Sequence, residues 1–242
     1  ILVEQESQLG GMARNLTHTI DGSDIGAYLN GLVEKVTGHP NIQVLTNALI
    51  VGFSGFKGNF ETEVLIGPAM YERKIKHGVV ILATGAGEYQ PTEYCYGQSP
   101  VVITQTELSR RLEETGADKL EQVVMIQCVG SRNDEHPNCS RYCCQAAVKN
   151  ALAIKKRNPD TDVYILYRDM RTFGFMEDYF TEARQKGVLF FRYTPEDLPL
   201  VEKTGGGVTV TFRDHVLGRP LQVTPDLLVL SAGMRPTDTQ EL

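Results

Sequence analysis

Four of the five cysteines in this 242-residue chain lie within 17 residues, at Cys128, Cys139, Cys143 and Cys144. The run VVMIQCVGSRNDEHPNCSRYCCQAAVKNALAIKKR predicts a short apolar strand, a polar loop and then a helix. Strand, loop and helix N-terminus form the geometry that binds pyrophosphate in nucleotide-binding folds. Here the glycine-rich GxGxxG motif is missing and thiols take its place. We therefore predict that an inorganic cofactor is held at this position.

The spacing of these cysteines is C-x10-C-x3-C-C. Cys139 and Cys143 share one face of a helix if the helix, predicted over residues 141–157, already runs there. Cys144 then points about 100° away, so the four thiols converge only around a large ligand or an irregular first turn. A [4Fe–4S] cube bridges such a spread better than a single tetrahedral ion with Zn–S bonds of about 2.3 Å.

The charges near the cysteines agree with an anionic cofactor. A cube ligated by four thiolates is an anion in its usual oxidised state, and the helix N-terminus with Arg132 and Arg141 offsets that charge. Paired CxxC knuckles, which are typical of structural zinc sites, are absent from the sequence. Structural zinc and buried structural cysteines remain the alternatives. Cys95, in TEYCYG, has no cysteine neighbour and is predicted to be a structural thiol.

The composition excludes several classes of partner. The net charge is −6 and no basic stripe is visible, which argues against nucleic acid and anionic membrane surfaces. No apolar run approaches the roughly 20 residues needed to span a bilayer. Because the cysteines are too few for a disulfide scaffold and are mostly clustered, we expect metal-directed thiols in a reducing, cytoplasmic compartment.

Strands alternate with helices along the chain, which predicts an α/β fold with two Rossmann-like domains, each a parallel sheet with a β-meander. We place the first domain at residues 1–100 and the second at 101–242. In the first, DGSDIGAYLNGLVEKVTGH predicts a helix that ends at Gly38, and VVILATG predicts a fully apolar strand. The sequence begins and ends in the middle of this pattern, so we expect a fragment of a longer polypeptide.

Small and acidic residues in the first half fall where a dinucleotide would bind. Glu4 closes a strand and is placed to accept hydrogen bonds from ribose hydroxyls, and Gly10 and Gly11 let the backbone pass close to a ligand. The set E…GG…ATG, with DLLVLSAGMRP near the end, resembles the two-dinucleotide-domain (thioredoxin-reductase-like) flavoprotein disulfide reductases. The resemblance implies FAD in the first domain. The predicted FAD contacts are Glu4, Gln5, Gly10, Gly11, Met12, Ile50, Ala83, Thr84 and Gly85.

The second half resembles a narrower group. QCVGSR…CSRYCCQAAVKNALAIKKR, VYILYRDMRTFG and EARQKGVLFFRY closely resemble the A-subunit (HdrA) family of heterodisulfide reductases. The resemblance implies an oxidoreductase that holds FAD, with a cubane at the four cysteines, and passes electrons within a heterodisulfide-reductase-type complex of the electron-bifurcating kind. The implied partners are the other subunits and an electron-donor protein similar to hydrogenase or formate dehydrogenase.

Two other functions remain open. An NAD(P)H-dependent flavoprotein disulfide reductase needs a GxGxxG after the strand at 123–127 and a redox CxxC, and the sequence has neither. A zinc-stapled scaffold that docks electron-transfer proteins is the second alternative. Arg168, Asp169 and Arg171 follow the strand VYILY and are predicted to form a salt-bridged turn or a partner surface.

Overall fold

The computed structural model describes residues 1–117 and 119–239. The chain divides into two compact units. Unit 1 comprises Ile1–Leu16, Asp24–Gly87 and the described residues from Pro236 onward, and unit 2 comprises Thr17–Ser23 and Glu88–Arg235. The predicted domain boundary at residue 100 stays a prediction.

Unit 1 contains a short parallel strand pair and an antiparallel meander. Its elements are β1 (Leu2–Val3), a 3₁₀ helix (Gly11–Asn15), α1 (Ile25–Thr37), β2 (Val44–Leu45), β3 (Ala48–Phe56), β4 (Asn59–Ile66) and β5 (Tyr71–His77). β1 pairs in parallel with β2 through the crossover that contains α1, and β3, β4 and β5 pair antiparallel in chain order. The Asp24 carboxylate accepts the Ala27 N–H and caps α1, which ends before Gly38 as predicted.

The prediction of an apolar strand across VVILATG is wrong. Residues 78–85 have no regular secondary structure, and Val79, Ile81 and Leu82 are 75%, 86% and 66% exposed. A strand is stable only when a neighbouring strand forms hydrogen bonds with its N–H and C=O groups. No strand among residues 1–117 and 119–239 pairs with this segment, so its apolar composition alone does not make it a strand.

Unit 2 is built around a five-stranded parallel sheet. The remaining elements, in chain order, are β6 (Ala86–Glu88), β7 (Val102–Thr104), α2 (Gln105–Thr115), β8 (Gln122–Val129), α3 (Cys143–Arg157), β9 (Asp162–Tyr167), α4 (Met176–Gln185), β10 (Leu189–Arg192), β11 (Leu200–Thr204), β12 (Gly207–Asp214), β13 (Arg219–Val223), β14 (Leu227–Ala232) and β15 (Met234–Pro236). The parallel strands lie in the order β10-β9-β8-β14-β7. The chain therefore leaves β8 in one direction, through α3 to β9, while β14 lies on the other side of β8. This is a topological switch point, and ligands bind there in open α/β sheets.

Alternating side chains of the central strands form two apolar layers. Val123 and Met125 of β8 face α3, where they pack with Val148. Val124 and Ile126, which alternate with them, pack on the opposite face with Val210 of β12, so the antiparallel meander β11-β12-β13 covers that side. Strands buried on both faces read as near-continuous apolar runs, as VVMI and LLVL do. The predicted α/β architecture of parallel sheets with β-meanders is confirmed.

Two helices of unit 2 begin in different ways. α2 begins with a capping box, in which Thr104 accepts the Glu107 N–H and the Glu107 carboxylate accepts the Thr104 N–H. α3 is present as predicted, but it begins at Cys143 and not at residue 141.

Within residues 1–117 and 119–239, no helix combines the length and the apolar character that crossing a bilayer requires.

Candidate functional site

Cys128 lies at the carboxyl end of β8, in a β-bulge. Ile126 pairs with Leu230 and Val129 with Ala232, so two residues of β8, Gln127 and Cys128, oppose a single residue of β14. The bulge gives Cys128 a left-handed backbone, with φ of 64°. Bulges beside functional sites re-aim a side chain, and this one turns Cys128 out of the regular alternation of β8.

Cys143 and Cys144 are the first two residues of α3 and reach the ends of different strands. The Cys143 thiol donates to the carbonyl oxygen of Ala232, at the end of β14, over 3.5 Å. The Cys144 thiol donates to the carbonyl oxygen of Asp169, just after β9, over 3.9 Å. Because β8 lies between β14 and β9, the two thiols bracket the end of β8 and therefore Cys128.

Cys139 lies in the loop before α3. Its sulfur accepts the backbone N–H of Arg141 over 3.3 Å. The helical face considered for Cys139 and Cys143 does not exist, because the helix begins only at Cys143. The loop, and not the helical repeat, brings Cys139 to the other thiols.

The four thiols lie within electrostatic range of one another. Burial, followed by the charges of Cys144, Cys128 and Cys139, raises the pKa of Cys143 to about 12. Burial also raises the pKa of Cys144 to about 11, and Cys128 and Cys139 add to the rise. Burial raises the pKa of Cys128, against the opposing effect of Arg132. Repulsion among four thiolates is the condition that a bound cation relieves.

An arginine–aspartate group borders the thiols. Arg132 donates to the Cys128 sulfur over 3.8 Å and forms an ion pair of 2.7 Å with Asp169. Asp169 also pairs with Arg171 at 2.6 Å, and the two arginines lower its pKa despite partial burial. The salt-bridged turn is confirmed for Asp169 and Arg171, whereas Arg168 donates to the Arg132 carbonyl oxygen over 2.7 Å. The turn lies beside the cysteines, which the sequence did not indicate.

The loop after β8 has the backbone of an anion site. Alternate residues Cys128, Gly130 and Arg132 have positive φ, at 64°, 64° and 58°. Such alternation is typical of nests, in which successive N–H groups turn to one side and bind phosphates or iron–sulfur clusters.

The spacing of the thiols bears on the kind of metal site that they could form. Four thiolates around a single zinc ion lie about 3.8 Å apart, as Zn–S bonds of about 2.3 Å require. Among residues 1–117 and 119–239, no group of three or more His, Cys, Asp or Glu side chains is arranged to hold a metal ion.

A tyrosine ring lies against the loop that follows β8. Gly130 follows β8, and a Cβ at this position would overlap the ring of Tyr89. Arg235 lies 4.6 Å above the Tyr89 ring and donates to the Gly130 carbonyl oxygen over 2.5 Å. Nothing in the sequence marked Tyr89, because it lies 41 positions before Gly130.

Gln127 is a second residue of this site that sequence reasoning missed. It is 1% exposed, and neither its side-chain nitrogen nor its oxygen has a hydrogen-bond partner among the described residues. Buried polar groups are nearly always paired, so an amide without a partner requires an explanation.

The predicted flavin residues lie in unit 1, in loops and at strand ends. Glu4 directly follows β1, and its carboxylate accepts the Glu6 N–H over 3.0 Å. Gly10 has φ of 118°, and a Cβ there would lie 2.8 Å from Leu29, so a side chain cannot replace it without movement. Gly11 begins the 3₁₀ helix, and no atom lies within 4 Å of the position of its missing Cβ. This open backbone fits the predicted close approach of a nucleotide.

The remaining predicted flavin residues are also accessible. Gln5, Ala83, Thr84 and Gly85 are exposed, Ile50 of β3 is 36% exposed, and Met12 is half-buried. Thr237 donates its hydroxyl to the Thr84 carbonyl oxygen over 2.7 Å and its N–H to Gly85 over 3.3 Å. The sequence did not single out Thr237, which fixes this segment from the far end of the chain.

Curated proteins similar to this chain belong to one type of oxidoreductase. The A-subunit of an H(2)/formate:CoB-CoM heterodisulfide,ferredoxin reductase from Methanococcus maripaludis is 38% identical over 181 residues, which cover 67% of this chain and 27% of that protein. The A-subunit of an H(2):CoB-CoM heterodisulfide,ferredoxin reductase from Methanothermobacter thermautotrophicus is 36% identical over 188 residues, covering 70% and 28%. The chain belongs to the heterodisulfide reductase A-subunit (HdrA) family.

A third member of the HdrA family extends the match over almost the whole chain. The iron-sulfur A-subunit of the CoB–CoM heterodisulfide reductase of Methanocaldococcus jannaschii is 29% identical across 97% of this chain and 50% of its own length. The chain thus spans about a quarter to a half of the curated relatives that it matches. No protein-family model matches it.

Solved structures with the same fold are flavoprotein disulfide reductases and monooxygenases. Bacillithiol disulfide reductase from Bacillus cereus has a TM-score of 0.56 and 13% identity, and it is matched over 97% of this chain and 70% of its own. Ornithine N-hydroxylase from Kutzneria sp. 744 has a TM-score of 0.52 and 12% identity, over 89% and 60%. At these identities the likeness shows the fold alone.

Proposed function

We propose that this chain is the electron-transfer section of a heterodisulfide-reductase-type flavoprotein subunit. In this proposal unit 1 contributes to FAD binding and unit 2 ligates a [4Fe–4S] cluster through Cys128, Cys139, Cys143 and Cys144. The observation that supports the proposal is that Cys128 ends β8 while Cys143 and Cys144 contact carbonyl oxygens at the ends of β14 and β9, where the sheet has its topological switch point.

The surroundings of the thiols support an anionic cluster. The N-terminus of α3 begins at two of the cysteines, and a helix N-terminus favours negative charge. Arg132 and Arg171 lie beside Cys128 and Cys139, since both guanidinium groups interact with these sulfurs. Positive charge close to a cluster stabilises its more negative, reduced state and raises its reduction potential.

The same site is poorly suited to a pyridine nucleotide. The Tyr89 ring covers Gly130, the position at which the backbone of a nucleotide-binding loop approaches pyrophosphate. Arg235 secures that ring by a cation–π contact and holds the Gly130 carbonyl. Unit 2 therefore has the fold of a dinucleotide-binding domain, but its own side chains occupy the space beside Gly130.

For the flavin, the chain supplies backbone and one carboxylate. Glu4 would receive the ribose hydroxyls, while Gly10, Gly11 and Ala83–Gly85 would let the backbone pass the nucleotide, with Gln5, Met12 and Ile50 beside it. FAD exchanges two electrons and a [4Fe–4S] cluster exchanges one, which is the chemistry that the two groups supply when bound.

The wider function follows from the family. We propose that the protein works in a cytoplasmic complex with other heterodisulfide reductase subunits and an electron-donor protein of the hydrogenase or formate dehydrogenase type. Electron bifurcation at the flavin belongs to this proposal. The names of the relatives, which include an H(2)/formate:CoB-CoM heterodisulfide,ferredoxin reductase, support it.

The test uses the full-length protein purified without oxygen, with iron, sulfide, zinc and flavin quantified and EPR recorded after reduction. We expect the cluster signal in the wild-type protein and its loss in Cys139→Ala. Cys95→Ala is the matched control, because Cys95 is the fifth cysteine and its thiol donates to the Val201 carbonyl oxygen, at 4.0 Å. Zinc in place of iron, or an unchanged cluster in Cys139→Ala, would overturn the proposal. Tight binding of NAD(P)H by unit 2 would favour the disulfide reductase alternative.

A further inference from the structure

The side chain of Gln127 is buried without a partner at the edge of the thiol site. It is 1% exposed, and both polar atoms of its amide lack a hydrogen bond among the described residues. A primary amide offers two N–H donors and a carbonyl acceptor. Leaving all of them unpaired away from water is costly, so a partner outside the polypeptide is the physical explanation.

The other buried polar groups nearby pair with one another. Gln105 donates to Ser231 over 3.1 Å, and Asn150 donates to Gln105 over 2.8 Å. Ser109 then donates to Asn150 over 2.9 Å. This network joins α2, α3 and β14 and does not include Gln127.

The position of Gln127 places its amide beneath the start of α3. Side chains alternate along a strand, and Met125 faces α3, so Gln127 points to the same face. It directly precedes Cys128 in the bulge of β8. Cys143 reaches the end of β14 and Cys144 the end of β9, so these two thiols lie on either side of the strand that carries Gln127.

We propose that the Gln127 amide N–H donates a hydrogen bond to a sulfur of the cluster. The inference rests on the proposed function, because it requires the cluster at the four cysteines. Gln127 is then a positioning residue that tunes the cluster. A donor aimed at sulfur stabilises the reduced state, which carries the greater negative charge, and so raises the reduction potential.

The experiment replaces Gln127 by Leu in the full-length protein and follows the cluster EPR signal through an anaerobic redox titration. We expect a lower midpoint potential, with the ratio of oxidised to reduced cluster raised about tenfold at a fixed potential, which is about 59 mV for one electron. Gln122→Leu is the matched control, since Gln122 begins the same strand and its side-chain amide donates to Tyr164 over 3.4 Å.

A second readout separates this role from a purely structural one. In protein freed of its cluster, the unpaired amide destabilises the folded state, so Gln127→Leu is expected to raise the midpoint of unfolding. Gln127→Met, which keeps the length of the side chain, is expected to behave in the same way. A lower unfolding midpoint in both variants would mean that the protein itself forms hydrogen bonds with the amide. That result would overturn the inference.

The outcomes also distinguish this inference from the proposed function. If the wild-type protein has no cluster signal, the proposed function fails and the role of Gln127 fails with it. If the cluster signal is present and Gln127→Leu has the same midpoint reduction potential as Gln122→Leu, only the role of Gln127 is refuted.

Discussion

The strained backbone at Cys128 gives a prediction that needs no cofactor. An L-residue with φ of 64° is in the left-handed region, where Cβ crowds the following carbonyl oxygen. We compare Cys128→Ala with Cys128→Gly in the cluster-free chain. The same pair of substitutions at Cys144, the second residue of α3, is the control.

The expected size of the effect follows from comparing the stability difference between the Ala and Gly variants at Cys128 with the same difference at Cys144, because contributions common to both positions cancel. Exchanging Ala for Gly adds entropy to the unfolded chain at both positions, and it removes a methyl group that is partly buried at Cys128 and buried at Cys144. Only Cys128 also gains relief of the left-handed strain, about 1–2 kcal/mol. Glycine in regular structure normally costs roughly 0.5–1 kcal/mol, as we expect at Cys144. At Cys128 we therefore expect the two variants to be nearly equal, or the glycine variant to be the more stable.

Urea unfolding of the four variants measures these differences. We expect the effect of changing Ala to Gly to differ between the positions by about 1–2 kcal/mol, in favour of Gly at Cys128. Equal effects at the two positions would show that the backbone of Cys128 carries no strain, and the bulge geometry described above would be refuted.

Three further predictions concern other parts of unit 2. Gly130→Ala is expected to cost about 2–3 kcal/mol, because its Cβ meets the Tyr89 ring at a positive φ. A double-mutant cycle with Tyr89→Ala should then show coupling, and strictly additive free energies would refute the contact. In the cluster-free chain at pH 8, Cys143 and Cys144 should react with iodoacetamide roughly a hundredfold or more slowly than in urea, because burial raises their pKa to about 12 and about 11. Mass spectrometry measures the rates, and equal rates in the folded and unfolded chain would contradict the burial. Burial lowers the pKa of Lys149, so the unfolded chain binds its proton more tightly and stability should rise with pH towards 10.5. Lys149→Met should lose this rise in urea titrations at several pH values, and parallel curves for the two proteins would rule it out.

Several parts of the fold could be predicted from local sequence. Asp24 before an apolar helical pattern and Gly38 after it define α1, because capping and helix termination depend on neighbouring residues only. The capping box of Thr104 and Glu107 marks the start of α2 in the same way. VVMI and LLVL predict buried parallel strands, which the sheet contains as β8 and β14.

Other features could not be predicted, for identifiable reasons. VVILATG has the composition of a buried strand, but a strand also needs a paired neighbour, and composition carries no information about one. The orphan amide of Gln127 becomes visible only when its neighbours are seen to pair among themselves. The Tyr89 ring over Gly130 joins residues that are far apart in the chain.

The sequence alone determined that four thiols occupy the strand–loop–helix position of a dinucleotide site, because residue identity and short-range periodicity are local properties. Only the tertiary structure decided where these thiols lie. Their positions depend on the order of β9, β8 and β14, on the bulge that turns Cys128, and on the loop before α3 that carries Cys139. Strand order and loop path are set by packing between distant segments, and no local pattern encodes them.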